Sequence, residues 1–131
     1  MKSTIIKLVL VALFLNTTIE ASTLSKSEVE AQKAVSSFFK YLKNNNTKKI
    51  KSSIPLDSYQ VHEKLNNWDK WIKIWQSYSL VEVGNVENMK FVRKGRDKTV
   101  KVHIILKVDG KNSKGTINVS LIKGHWVWDE N

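Results

Sequence analysis

Val100-Lys101-Val102-His103-Ile104-Ile105-Leu106-Lys107-Val108 sets an apolar side chain at every second position and stops at Asp109-Gly110. A period of two puts Val100, Val102, Ile104, Leu106 and Val108 on one face of a strand, opposite Lys101, His103, Ile105 and Lys107. Downstream, Asp109-Gly110 and Gly115 bracket a hairpin loop, and Ile117, Val119 and Leu121 alternate in a second strand. Lys123-Gly124 is the tightest turn, and Trp126 and Trp128 mark a short last strand. Strands joined by links this short must pair antiparallel, because parallel pairing needs a long crossover. Upstream, alternation over 79–83 bends at Gly84, resumes over 89–92 and turns at Lys94-Gly95-Arg96-Asp97.

The preceding half changes period. Ser25 and Ser27 each stand three residues before a glutamate (Glu28, Glu30), two overlapping capping-box candidates. Ala31, Ala34, Val35, Phe38, Phe39 and Leu42 then recur at helical steps, which predicts an amphipathic helix over 28–43. Asn44-Asn45-Asn46 ends it, and Thr47 is the expected cap of a short second helix running to Ser52 before Pro55. Val61, Leu65, Trp68, Ile72 and Trp75 form one apolar seam, read as a single third helix capped by Asp57 or Ser58. An apolar sheet face needs a cover, and these helices carry matching stripes. The fold class is therefore α+β: N-terminal helices packed on a bent antiparallel sheet of about four strands.

The chain's start reads as an address. Lys2 and Lys7 precede the apolar run from Leu8 to Leu15, with polar residues and Ala21 after it, the layout of a secretory signal peptide cut near Ala21. Eight helical residues reach only about 12 Å, against a hydrocarbon core of about 30 Å, so no stable transmembrane span is expected. Retention as an uncleaved anchor is the alternative. The expected division is a signal peptide over 1–21 and a single domain over 22–131, exported to the periplasm or secreted. The chain has no cysteine, so an exported fold of this composition has to be held by packing without disulfides.

Two stretches carry a family likeness. Val35-Ser36-Ser37-Phe38-Phe39-Lys40-Tyr41-Leu42 before a polar corner resembles the opening helix of small secreted bacterial members of the nuclear-transport-factor-2-like superfamily. Lys123-Gly124-His125-Trp126-Val127-Trp128 resembles their closing hairpin, a glycine, any residue and a tryptophan. The resemblance covers about 27–129 and implies a cystatin-like roll. Domains of this kind often dimerise through the sheet, and some enclose a cone-shaped cavity between helices and sheet. Members include cone-pocket enzymes, scaffolding cores of secretion assemblies and domains with no assigned activity. Fold does not choose among these.

The residues supply no catalytic constellation. His62, His103 and His125 each sit off the expected apolar faces, with His62 off the helix seam beside Val61. None has metal-ligand spacing relative to another, and no glycine loop suits a phosphate, so neither metal nor cofactor is expected. Asp69, beside Trp68, has Lys70 and Lys73 for company and reads as a solvated helix residue. If a cone exists, Tyr59, Trp68, Trp71, Trp75 and Tyr78 are its candidate lining.

Charge is the other signal. The net charge is +10, and the excess lies in two segments around a near-neutral middle. Lys40, Lys43, Lys48, Lys49 and Lys51 form the first; Lys90, Arg93, Lys94, Arg96, Lys98 and Lys101 form the second, opposed locally only by Asp97. Such surfaces meet acidic proteins, anionic envelope polymers or lipid headgroups. Nucleic acid is disfavoured, because only Tyr41 and Phe91 interleave the lysines as stacking platforms. The leading expectation is an exported, non-catalytic binding or envelope-assembly module that engages a protein partner or small ligand, or associates with itself through the sheet. The alternatives are a cone-pocket enzyme and an electrostatic binder of anionic polymer, lipid surface or DNA.

Overall fold

The computed structural model describes residues 24–129, so the expected signal peptide over 1–21 and the expected cut near Ala21 lie outside the described residues. Helix α1 (Lys26–Lys43) begins with the Ser25 capping box. The Ser25 hydroxyl accepts from the Glu28 N–H at 3.1 Å, and the Ser25 N–H donates to the Glu28 carboxylate at 2.9 Å. Its inward stripe is Ala31, Val35, Phe38, Phe39 and Leu42.

The helix ends where Asn45 turns left-handed at φ 52°. There the Asn46 N–H bonds Tyr41 O at 2.9 Å and the Asn45 N–H bonds Leu42 O at 3.1 Å, a Schellman pair closed by asparagine in the usual glycine position. Asn46, rather than Thr47, caps helix α2 (Thr47–Ser52), accepting from the Lys49 N–H at 3.2 Å. Ile50 anchors α2 and is fully buried.

The expected third helix is two helices, α3 (Leu56–Lys64) and α4 (Trp68–Gln76). Asn66 repeats the Schellman geometry at φ 55°, with its N–H on Glu63 O and the Asn67 N–H on His62 O, and so breaks the chain. The apolar seam does not survive the break. Val61 and Leu65 are 55% and 64% exposed, while His62 and Tyr59 face the aromatic side of α4. Neither Asp57 nor Ser58 caps α3; Pro55 stands at its N-cap without a side-chain bond.

Strands β1 (Ser79–Asn88), β2 (Lys98–Val108), β3 (Lys111–Ile122) and β4 (His125–Trp128) form an antiparallel meander in chain order. The loop after β2 is only Asp109-Gly110, because Val108 already pairs with Lys111; Gly115 lies inside β3 opposite Ile104, not in the loop. Asp109 and Gly110, like Lys123 and Gly124, have positive φ at both central positions, the two-residue turn whose twist suits flanking strands. Register shifts between Leu80 and Glu82 and between Val83 and Val86 bend β1 around Gly84. The segment over 89–92 does not continue as a strand: β1 ends at Asn88, and 89–97 crosses the end of the sheet.

Val100 pairs with Val119, and Val119 with Trp128; Val102 pairs with Ile117. These cross-strand partners share the face that receives the α1 stripe, so one buried layer holds both halves. Phe38 stacks on Trp128 with ring centroids 4.2 Å apart, and the Trp128 N–H reaches Ser53 O at 2.7 Å. That pins the closing strand to the end of α2. The fold is α+β, with its N-terminal helices packed on an open four-stranded antiparallel sheet. Among the described residues no helix is long and apolar enough to cross a membrane.

Candidate functional site

The five aromatic candidates fall into two ring clusters. Trp68 stacks on Trp71 at 5.5 Å, with Tyr59 edge-on to Trp68 at 4.9 Å and the His62 ring 4.8 Å from Trp71. Trp75 meets Trp128 at 4.7 Å and Tyr78 at 5.4 Å, both edge-on. Trp71 is buried and the other four are half-buried against the core. The rings therefore satisfy one another, each edge-to-face pair adding about 1 kcal/mol beyond area burial. The Tyr59 hydroxyl donates to Glu63 at 3.1 Å, and Tyr78 reaches an open wall.

That wall belongs to a groove of about 560 Å³ between α1, the end of α4 and the start of β1. Phe39, Leu42 and Leu80 supply its apolar side; Ser36, Lys40, Lys43, Gln76, Tyr78 and Ser79 supply the polar one. Two lysines and no carboxylate line it. The Gln76 amide donates to Leu42 O at 3.1 Å and to the Asn45 side chain at 3.0 Å, which fixes α4 against the end of α1. The left-handed Asn45 thus has two duties, ending α1 and holding the groove's far wall. An arrangement of ammonium groups, hydroxyls and a short apolar strip can hold a carboxylate-bearing chain; it offers no general base.

The two basic segments are brought to either side of one point. Leu56 shares a shallow depression with Lys48, Lys51 and Tyr59, and the Lys51 ammonium lies 4.3 Å from the Tyr59 ring centre. The next residue, Asp57, pairs with Arg93 and Arg96 of the 89–97 loop. The start of α3 therefore joins segments that lie about forty residues apart in the chain. Lys98 and Lys101 lie on β2, where Lys101 stands opposite Glu87.

Asp97 is not the principal counter-charge of the second segment. The Arg96 guanidinium lies between two carboxylates, with Nη1 and Nη2 each 3.1 Å from Asp57 oxygens. Its Nε is 3.0 Å and its Nη2 3.1 Å from Asp129 oxygens. Its side chain is 5% exposed and that of Asp129 2%, so Arg96 is not on the basic surface. Arg93 Nη1 adds a contact to Asp129 at 3.2 Å.

Behind Asp129, the Ser120 hydroxyl donates at 2.5 Å. A hydroxyl has one proton, so the 2.6 Å contact between Thr99 and Ser120 must have Thr99 as donor. The chain of donors runs Thr99 to Ser120 to Asp129, ending on a carboxylate. Burial alone pushes the Asp129 carboxyl up, but hydrogen bonds from Arg96 and Ser120 and the Arg96 and Arg93 charges outweigh it and hold it below the usual carboxylate range. The hydrogen bond from Arg96 does the same for Asp57, and both carboxylates raise Arg96. No imidazole enters this cluster among the described residues, and its serine faces an anion. It is a clasp holding the residue after β4 onto the 89–97 loop.

The histidines are dispersed. His62 Nδ1 contacts the Asn67 side chain at 2.9 Å, His103 on the outer sheet face pairs with Glu87, and His125 is exposed at the start of β4. That hydrogen bond with His103 lowers the Glu87 carboxyl. Ile105 is half-buried beside His103 on the same face. Among the described residues no three metal-ligating side chains gather. No protein-family model matches the chain, and no curated protein matches it.

Proposed function

We propose that the protein is an exported, non-catalytic binding module on a cystatin-like roll of the nuclear-transport-factor-2-like type. Its groove between α1 and β1 holds a carboxylate-bearing segment of a protein partner. Export rests on the pattern over 1–21; the roll rests on helices followed by a bent meander that closes on Trp126 and Trp128. One observation carries the binding reading: Lys40 and Lys43 face a groove with an apolar strip and no carboxylate in its lining. Ammonium groups at the rim attract an acidic chain, and the strip beneath rewards an apolar side chain alongside the acid.

A labelled peptide of alternating glutamate and leucine is the probe, read by fluorescence anisotropy. Binding should weaken with salt and fall at least tenfold in Lys40→Glu/Lys43→Glu. Unchanged affinity in that variant removes the reading.

A further inference from the structure

The surface where the basic segments meet also carries apolar side chains without cover. Phe91, in the 89–97 loop, is 89% exposed, and Leu56 at the start of α3 is 68% exposed. Asp57 ties these two segments together through Arg93 and Arg96, so Leu56 and Phe91 stand one and two positions from members of a single ion-pair cluster. Lys90 and Lys94 flank Phe91 in sequence, and Lys48 shares the Leu56 depression. All three lysines are exposed, and among the described residues none has an ion-pair partner. Asp57 and Asp129 already face the guanidiniums of Arg93 and Arg96, and Asp97 accepts from the Lys123 N–H.

We propose that this surface docks the protein on an anionic lipid bilayer, with Phe91 and Leu56 entering the interface and the lysines meeting headgroup phosphates. Three features choose this occupant. A second copy of the chain would bring one lysine-rich patch against another, a like-charge contact. A folded acidic partner would need a matching cavity for a ring that stands almost wholly out of the surface. A fluid interface moulds itself around protruding side chains, and its negative potential supplies the complementary charge. The groove between α1 and β1 takes no part, so the two proposals stand or fall separately.

Sedimentation with phosphatidylcholine vesicles, with and without phosphatidylglycerol, tests this directly. Binding should require phosphatidylglycerol and fall with salt. Phe91→Ser and Leu56→Ser should each weaken it about tenfold, the effect expected for one large apolar side chain no longer entering the interface. Both side chains lie outside the core, so loss of binding would not reflect misfolding. Because the chain has no cysteine, Phe91→Cys also gives a single attachment point for an environment-sensitive fluorophore. Its emission should shift to the blue with anionic vesicles and stay put with heparin. Equal binding to neutral vesicles, or unchanged affinity in both serine variants, overturns the proposal. So would heparin capture that matches the vesicles and ignores Phe91, because that outcome assigns the patch to soluble polyanions.

Discussion

Asp129→Ala should be among the most damaging single changes in the chain. Its carboxylate accepts from Ser120 at 2.5 Å, from Arg96 at 3.0 and 3.1 Å and from Arg93 at 3.2 Å, with 2% of the side chain exposed. Alanine leaves the Arg96 guanidinium buried with Asp57 alone, and Asp57 is more than half exposed and partly screened. Removing one partner of a buried ion pair costs about 3–5 kcal/mol, and the retained Asp57 fork argues for the lower end, about 3 kcal/mol. At a urea slope of about 1.5 kcal/mol/M, the unfolding midpoint falls by about 2 M. Burying apolar groups on both sides tests whether the loss comes from the stranded charge. Arg96→Met/Asp129→Leu should recover much of the stability, leaving a coupling energy of about 2 kcal/mol. A midpoint shift below about 0.5 M in Asp129→Ala, or additive effects in the double variant, would show that no buried charge is stranded.

Other outcomes follow from the same geometry. The Asp129 carboxyl is held low in the folded state, so its contribution is complete above about pH 4 and is lost as pH falls through the folded value. Between pH 4 and pH 2 the parent's urea midpoint should therefore drop more steeply than that of Asp129→Asn; parallel curves would exclude Asp129 as the group responsible. Ser120→Ala removes a donor to a buried charge and should cost about 2 kcal/mol by thermal unfolding. Asn66→Gly should be neutral or stabilising, whereas Asn66→Ala, forced into φ 55°, should cost about 1 kcal/mol in chemical denaturation. Phe38→Ala, which empties the ring stack on Trp128, should cost about 3–5 kcal/mol by the same assay.

Asp109-Gly110 was legible only as one edge of a loop reaching Gly115, but most of the sheet was legible because Lys123-Gly124 is a turn pair at strand spacing and β2 carries an apolar residue at every second position. The α1 stripe was legible for the same reason, since one face is buried throughout. The division of α3 from α4 was not. Asn66-Asn67, unlike the run Asn44-Asn45-Asn46, interrupts no apolar spacing, and the steps from Val61 to Trp75 happen to stay helical across a break that resets the phase. Only a left-handed Asn66 shows that His62, not Val61, turns inward.

The clasp was hidden for a different reason. Asp129 and Arg96 are 33 residues apart, and nothing local distinguishes Asp129 from a frayed polar end. The groove needs α4 to return onto the end of α1, and the Gln76 contacts that arrange this join residues over thirty positions apart. The lysines were visible as two runs; their meeting at Leu56 and Asp57 was a property of the fold.

Chemical-shift mapping of the isotope-labelled protein with the glutamate-leucine peptide locates where an acidic chain binds. The perturbed amides should gather at Ser36, Lys40, Lys43, Gln76 and Ser79 along the groove. Perturbations confined to the outer sheet face around Lys101, His103 and Lys114, or spread evenly over the exposed lysines, would contradict it.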